Sequence, residues 1–167
     1  MSEIVNKVAN SKLVVFDLED LYPEGNRIVF DIKDWLFMEL VLKEKDFREK
    51  AKTHDWTQYK DAYVALHCSS EAIVPGWAYL LLTSYLAPHT KKVVTGTLID
   101  LENTLYAEII QKTDFSKYKD LPIIIKGCSN KPVPENAYTL LIQKLQPVAK
   151  SIFYGEACSS VPIYRKK

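Results

Sequence analysis

The chain writes one stretch twice. Asp55-Trp56-Thr57-Gln58-Tyr59-Lys60-Asp61 returns as Asp114-Phe115-Ser116-Lys117-Tyr118-Lys119-Asp120, 59 positions later. Pro75, Tyr79, Leu86, Pro88 and Gly96 return at the same 59-residue offset as Pro134, Tyr138, Leu145, Pro147 and Gly155. Between these anchors, Cys68-Ser69-Ser70 with its later Val74-Pro75 is echoed by Cys128-Ser129-Asn130 with Val133-Pro134, and again by Cys158-Ser159-Ser160-Val161-Pro162. A repeat of this length limits the fold more tightly than composition does. Whatever element one copy forms, the other should form at the matching place.

Each copy reads as helix, strand, cysteine loop, helix, strand. Tyr63-Val64-Ala65-Leu66 and Ile123-Ile124-Ile125 are short apolar runs of strand type. Pro75 and Pro134 stand where a helix has its first residue, and Pro88 and Pro147 follow as stops. Val93-Val94 and Ile152-Phe153 are the next strands, each closed by a glycine. Glu44 to Thr53, with Phe47 and Ala51 four apart, reads as a helix with one packing face, and Glu102 to Lys112 as the helix joining the copies. Strand, helix and strand in this order form a right-handed parallel unit. Ahead of the copies, Leu13-Val14-Val15-Phe16 and Ile28-Val29-Phe30 flank the turn Pro23-Glu24-Gly25-Asn26 and predict an N-terminal hairpin. Asp34 to Leu42 has no clear period. The expected fold is α/β, with a mixed sheet and the duplicated units related by a pseudo-twofold. It forms a single domain over 1–167, with a hairpin at 13–31, one repeat at 44–97 and the other at 103–156.

Composition narrows the function classes. Lys and Arg number 22 against 21 Asp and Glu, a net charge of +1, which gives no electrostatic case for nucleic acid or an anionic membrane. The first twelve residues carry Glu3, Lys7 and Lys12, so no apolar segment of signal length is expected, and no apolar run could span a bilayer. Arg165-Lys166-Lys167 reads as a solvated tail. An odd number of cysteines, three, fits the reducing cytoplasm.

Cys68, Cys128 and Cys158 each follow a strand, and the carboxyl edge of a parallel sheet is where ligands gather. Cys68 and Cys128 also precede helix N-termini, which lower a thiol pKa. Three converging thiolates could hold zinc, with His67 as fourth ligand and His89 or Glu156 behind it, or an iron–sulfur cluster. Against this stands plain packing, since cysteine is often a small buried hydrophobe. Cys158, with Leu98 and Ile99 in the corresponding region of the first copy, favours a site. Tyr79, Tyr138, Trp35 and Trp77 read as packing residues. Val14-Val15-Phe16-Asp17-Leu18-Glu19-Asp20 imitates the strand and nucleophile loop of haloacid-dehalogenase-type phosphatases, but Glu19 stands where that family has aspartate and the following Gly-Thr is missing. Phosphate-loop, dinucleotide and Gly-x-Ser-x-Gly patterns are absent.

Glu3-Ile4-Val5-Asn6-Lys7-Val8-Ala9-Asn10-Ser11, Val29-Phe30-Asp31-Ile32-Lys33-Asp34, Lys126-Gly127-Cys128-Ser129 and Tyr154-Gly155-Glu156-Ala157-Cys158-Ser159 resemble a bacterial family, domain-of-unknown-function family 2480, over essentially the whole chain. The resemblance implies no activity and no catalytic residues. It associates the chain with iron–sulfur assembly proteins as partners. The expected function is therefore a cytoplasmic thiolate-site protein that holds zinc or an iron–sulfur cluster on Cys68, Cys128, Cys158 and His67. The alternatives are a metal-free structural or adaptor protein, and a cysteine-dependent enzyme with Cys68 or Cys128 as nucleophile near His67.

Overall fold

The computed structural model describes residues 13–127 and 130–167. Cys128 lies outside the described residues. The fold is α/β, with two sheets and four α-helices among the described residues. Where the sequence reads as one domain, the contacts divide the chain into two compact units. Unit 1 is Met1–Tyr22 with Leu105–Lys167, and unit 2 is Pro23–Thr104, inserted into it.

In unit 2, β2 (Arg27–Asp31), β3 (Tyr63–His67) and β4 (Lys92–Thr95) form a parallel sheet in the order β2-β3-β4. In unit 1, β1 (Val14–Asp17), β5 (Pro122–Lys126) and β6 (Ser151–Tyr154) run parallel, and β7 (Val161–Arg165) closes the edge antiparallel to β6. The helices are α1 (Glu44–Thr53), α2 (Gly76–Leu86), α3 (Leu98–Lys112) and α4 (Glu135–Leu145). β3, α2 and β4 recur as β5, α4 and β6 at the 59-residue offset, with identical bounds. Smaller features keep the same step. Asp61 and Asp120 both take left-handed backbone, with φ of 59° and 57°. Asp61 N donates to His89 O, and Asp120 N to Val148 O.

The expected hairpin at 13–31 is not formed. β1 pairs with β5 and β2 with β3, so the strands on either side of the Pro23–Asn26 turn belong to different sheets. The reason is local and tertiary together. Each strand ends in an aspartate that caps a 3-10 helix: Asp17 Oδ1 accepts from Glu19 N at 2.9 Å and Asp31 Oδ1 from Lys33 N at 3.0 Å. That extra turn of helix carries the chain away from its own strand. β3 and β5 are buried at three consecutive positions, Val64-Ala65-Leu66 and Ile123-Ile124-Ile125. Such strands need a neighbour on both sides, and β2 and β1 supply one each.

Each unit has its own core. In unit 2 Phe30, Phe47, Val64, Leu66, Ala78, Leu82 and Leu86 cluster, with Trp35 and Trp77 packed on them. His54 sits beside this cluster, its Nε2 2.9 Å from the Tyr59 hydroxyl and its ring edge-on to Trp56 at 4.7 Å. Arg27 and Glu102 form a nearly buried ion pair in the same unit, Nε to Oε1 at 2.7 Å. In unit 1 Phe16, Leu18, Tyr106, Ile123, Ile125, Ala137, Leu141, Leu145 and Ile152 cluster. Ala78, Leu82 and Leu86 on α2 answer to Ala137, Leu141 and Leu145 on α4, all buried.

Three smaller expectations are corrected. Pro75 and Pro134 are the residues before the helices rather than their first residues, with extended ψ of 147° and 148°. α3 begins at Leu98, earlier than Glu102. The C-terminal tail is structured: Arg165 belongs to β7, and Lys166 N donates to Lys150 O while its Nζ pairs with Asp120 at 3.0 Å.

Candidate functional site

The parallel strands of each unit end in a loop that leads to a helix, and in unit 1 Asn130 N donates to Glu19 Oε1 at 2.9 Å. In unit 2 the loop is fastened. Asp31, at the end of β2, accepts from Ser69 N at 3.0 Å and from the Ser69 hydroxyl. Burial raises the Asp31 carboxyl, but these bonds and the one from Lys33 outweigh it and hold the group below the usual carboxylate range. Cys68 is half-buried against the unit 2 core, and its Sγ meets Ser70 Oγ at 3.3 Å. Among the described residues the thiol's hydrogen-bond partners are on Ser70, and His67 is not among them. Burial, and then the neighbouring Cys68, pushes the Tyr79 phenol up.

In unit 1 the same edge opens into a cleft of about 750 Å³. Ile125 near the end of β5, Val133 just before α4, Tyr138 and Ile142 along α4, Tyr154 on β6 and Ile163 on β7 make its apolar walls. Glu135, Thr139 and Gln143 lie along one side of α4, four residues apart, and supply its polar groups. Gln143 Nε2 donates to Thr139 O at 3.1 Å, which fixes that rim. The rings of Tyr138 and Tyr154 meet edge to face, 5.9 Å apart at 82°. Gly127 makes this possible. A Cβ at that position would stand 3.1 Å from the Tyr154 hydroxyl, tighter than an ordinary contact. At the 59-residue offset unit 2 has Cys68 in place of Gly127 and Thr95 in place of Tyr154.

That register also corrects the reading of the cysteines. β3 ends at His67 and β5 at Lys126, so Cys68 answers to Gly127 and His67 to Lys126. The cysteine echo is one residue out of step with the fold. Cys68 belongs to unit 2 and Cys158 to unit 1. Cys158 is exposed, in the turn between β6 and β7, and the Val161-Pro162 that follows it starts a strand rather than a helix. What ties down the chain end is the β6–β7 ladder. Glu156 lies in that same turn, where its carbonyl accepts from Ser159 N at 2.9 Å. His89 follows α2 and offers its carbonyl to Asp61 N. Among the described residues no group of three or more His, Cys, Asp or Glu is placed to hold a metal ion. The expectation of a thiolate-site protein binding zinc or an iron–sulfur cluster is overturned on that ground. The cleft was missed from sequence because its signal is a difference between the copies, Gly127 with Tyr154 against Cys68 with Thr95, and agreement between copies drew the eye instead.

Among the described residues no helix is long and apolar enough to cross a membrane. No curated protein and no solved structure matches the chain. The family described as "Protein of unknown function (DUF2480)" matches residues 2–166, and the chain belongs to it.

Proposed function

We propose that this member of the family is a binding protein that takes a ring-bearing small molecule, uncharged or cationic, into the Tyr138–Tyr154 cleft of unit 1. The observation that carries the reading is the internal comparison. The elements β3-α2-β4 and β5-α4-β6 have matching bounds at the 59-residue offset, and at the carboxyl edge of the strands unit 1 has Gly127 and Tyr154 where unit 2 has Cys68 and Thr95. A cleft of about 750 Å³ falls within the range of small-molecule sites, roughly 300–1,000 Å³, and has their make-up of apolar walls with a few polar groups. The Tyr138 and Tyr154 rings favour an aromatic or otherwise flat apolar body. Glu135 is the ionisable acid on the lining, so it attracts an ammonium group and disfavours a carboxylate or phosphate.

The test is a pair of ligands with one ring and opposite charge. Benzylamine and benzoate are titrated into isotopically labelled protein, and the isoleucine methyl and tyrosine ring signals are followed. Benzylamine is expected to shift Ile125, Ile142, Ile163 and Tyr154 saturably, and benzoate is expected to shift them weakly or not at all. Glu135→Gln should erase the preference. Saturable shifts centred on other residues, or an absence of shifts at these four, would overturn the reading.

A further inference from the structure

The outward face of unit 2 carries an apolar surface. α2 and α4 occupy matching places, and their buried positions agree, Ala78, Leu82 and Leu86 against Ala137, Leu141 and Leu145. Their exposed positions do not. Exposed Ile73 and Leu80 stand where unit 1 has the exposed Pro132 and Thr139, and between them the half-buried Trp77, packed on Phe47, stands where unit 1 has Asn136. Ile73 is 93% and Leu80 73% exposed. Exposed apolar side chains gathered on one face, here Ile73 and Leu80, mark an interaction surface.

Next to it the chain makes a tight reversal. Phe37 and Val41 bond to each other in both directions, and Met38 and Glu39 turn the corner with φ of 49° and 60°. Left-handed backbone without glycine costs roughly 1–2 kcal/mol per residue. The strained tip holds Met38 out at 76% exposure, flanked by Leu40 and Val41. Directly beside the tip lies a groove of about 540 Å³, lined by Leu40, Val41, Ile73, Pro75 and Trp77 with Glu44 and Glu71 at its rim.

We infer that this face pairs with the same face of a second copy of the chain, the Met38 tip of each seating in the Ile73–Trp77 groove of the other. A protruding knob and an adjoining groove on one surface are what a two-fold, self-complementary contact needs. The area suits it: Phe37, Met38, Leu40, Val41, Ile73 and Leu80, each at least half exposed, present on the order of 700 Å² per copy, against about 800 Å² per partner in a standard interface. The charges suit it as well. Glu44 and Glu71 line the groove, and Glu44 is already paired with Arg48 at 2.9 Å, so the groove does not present charge of one sign to its own copy. Lys43 already lies over the Phe37 ring at 3.4 Å, and Arg48 over Trp77 at 4.9 Å, which fixes both aromatic anchors in place.

Sedimentation velocity of the full chain from about 1 to 100 μM tests this. A dimer is expected, and Met38→Glu and Leu80→Glu are each expected to weaken its Kd about 30-fold or more, the behaviour of central anchor residues. Both side chains are exposed, so the fold survives, which circular dichroism checks. Ile99→Glu, an exposed apolar residue on α3 that does not line the groove, should leave the dimer intact. A wild-type monomer at 100 μM overturns the inference. So does a dimer that survives both variants, or one that Ile99→Glu disrupts equally. A monomer that instead binds an apolar peptide on this face would replace the second copy with a different partner.

Discussion

Removing Glu102 should cost unit 2 a large part of its stability. Glu102 on α3 meets Arg27 on β2 with Nε to Oε1 at 2.7 Å and Nη2 to Oε2 at 3.3 Å, and their side chains are 8% and 11% exposed. Breaking a buried pair by deleting one partner costs about 3–5 kcal/mol, because the surviving charge keeps its desolvation penalty. Arg27 would keep the Pro23 carbonyl at 2.6 Å and the Gly25 carbonyl at 2.8 Å, which places Glu102→Ala at the low end, near 3 kcal/mol. At a urea dependence of about 2 kcal/mol per molar, that moves the midpoint down by about 1.5 M. All three tryptophans, Trp35, Trp56 and Trp77, belong to unit 2, so tryptophan fluorescence in a urea titration reads this unit directly. The double variant Arg27→Met with Glu102→Leu should recover most of the loss, since an apolar pair of similar size carries no stranded charge. A loss under about 1 kcal/mol for Glu102→Ala would show that the pair is worth no more than a solvated one, and the reasoning would fail.

Four further outcomes are expected. Leu82→Ala and Leu141→Ala occupy matching buried places, and each should cost about 2–5 kcal/mol, the first read by tryptophan fluorescence and the second by circular dichroism. Burial holds the His54 imidazole below the usual histidine value, with Asp55 opposing, so the unfolded chain takes up the proton first. Stability should therefore be level above about pH 6.5 and fall as the pH drops below it, and His54→Gln should flatten that slope in urea midpoints. The depressed Asp31 carboxyl contributes stability at neutral pH that is lost as the pH falls below about 4, and Asp31→Asn should remove that acid-side loss. Cys158→Ser should change stability by less than about 0.5 kcal/mol and leave the chain end resistant to proteolysis, because β7 and not the thiol secures it.

Much of the fold was legible in the sequence. The 59-residue step placed β3, α2 and β4 against β5, α4 and β6, with strand ends one or two residues short and the helices begun one residue early, because proline, glycine and the left-handed aspartates flank these elements. Strand partners were not legible. The turn at Pro23–Asn26 announces a change of direction, but it carries no information on which strand lies alongside. A second repeat would have helped. Val14-Val15-Phe16-Asp17-Leu18-Glu19-Asp20-Leu21 and Ile28-Val29-Phe30-Asp31-Ile32-Lys33-Asp34-Trp35 are the same strand and capped turn, 14 residues apart, one for each unit. Two like strands, each followed by its own helical turn, point to two like sheets rather than to a hairpin. The cysteines misled because like tripeptides take unlike places, Cys68 in a half-buried loop and Cys158 in an exposed turn. The open stretch Asp34–Leu42 was illegible for a different reason, since Met38 and Glu39 adopt backbone that neither residue signals.

The most direct measurement of the central claim compares benzylamine affinity, by isothermal titration, between the wild-type chain and a variant in which unit 1 takes the unit 2 residues at its strand ends, Gly127→Cys with Tyr154→Thr. The account predicts saturable one-site binding to the wild type and a loss of at least tenfold in the variant, with circular dichroism unchanged because the same pair, Cys68 and Thr95, already stands in unit 2 of this chain. Equal affinity in the two proteins would contradict it.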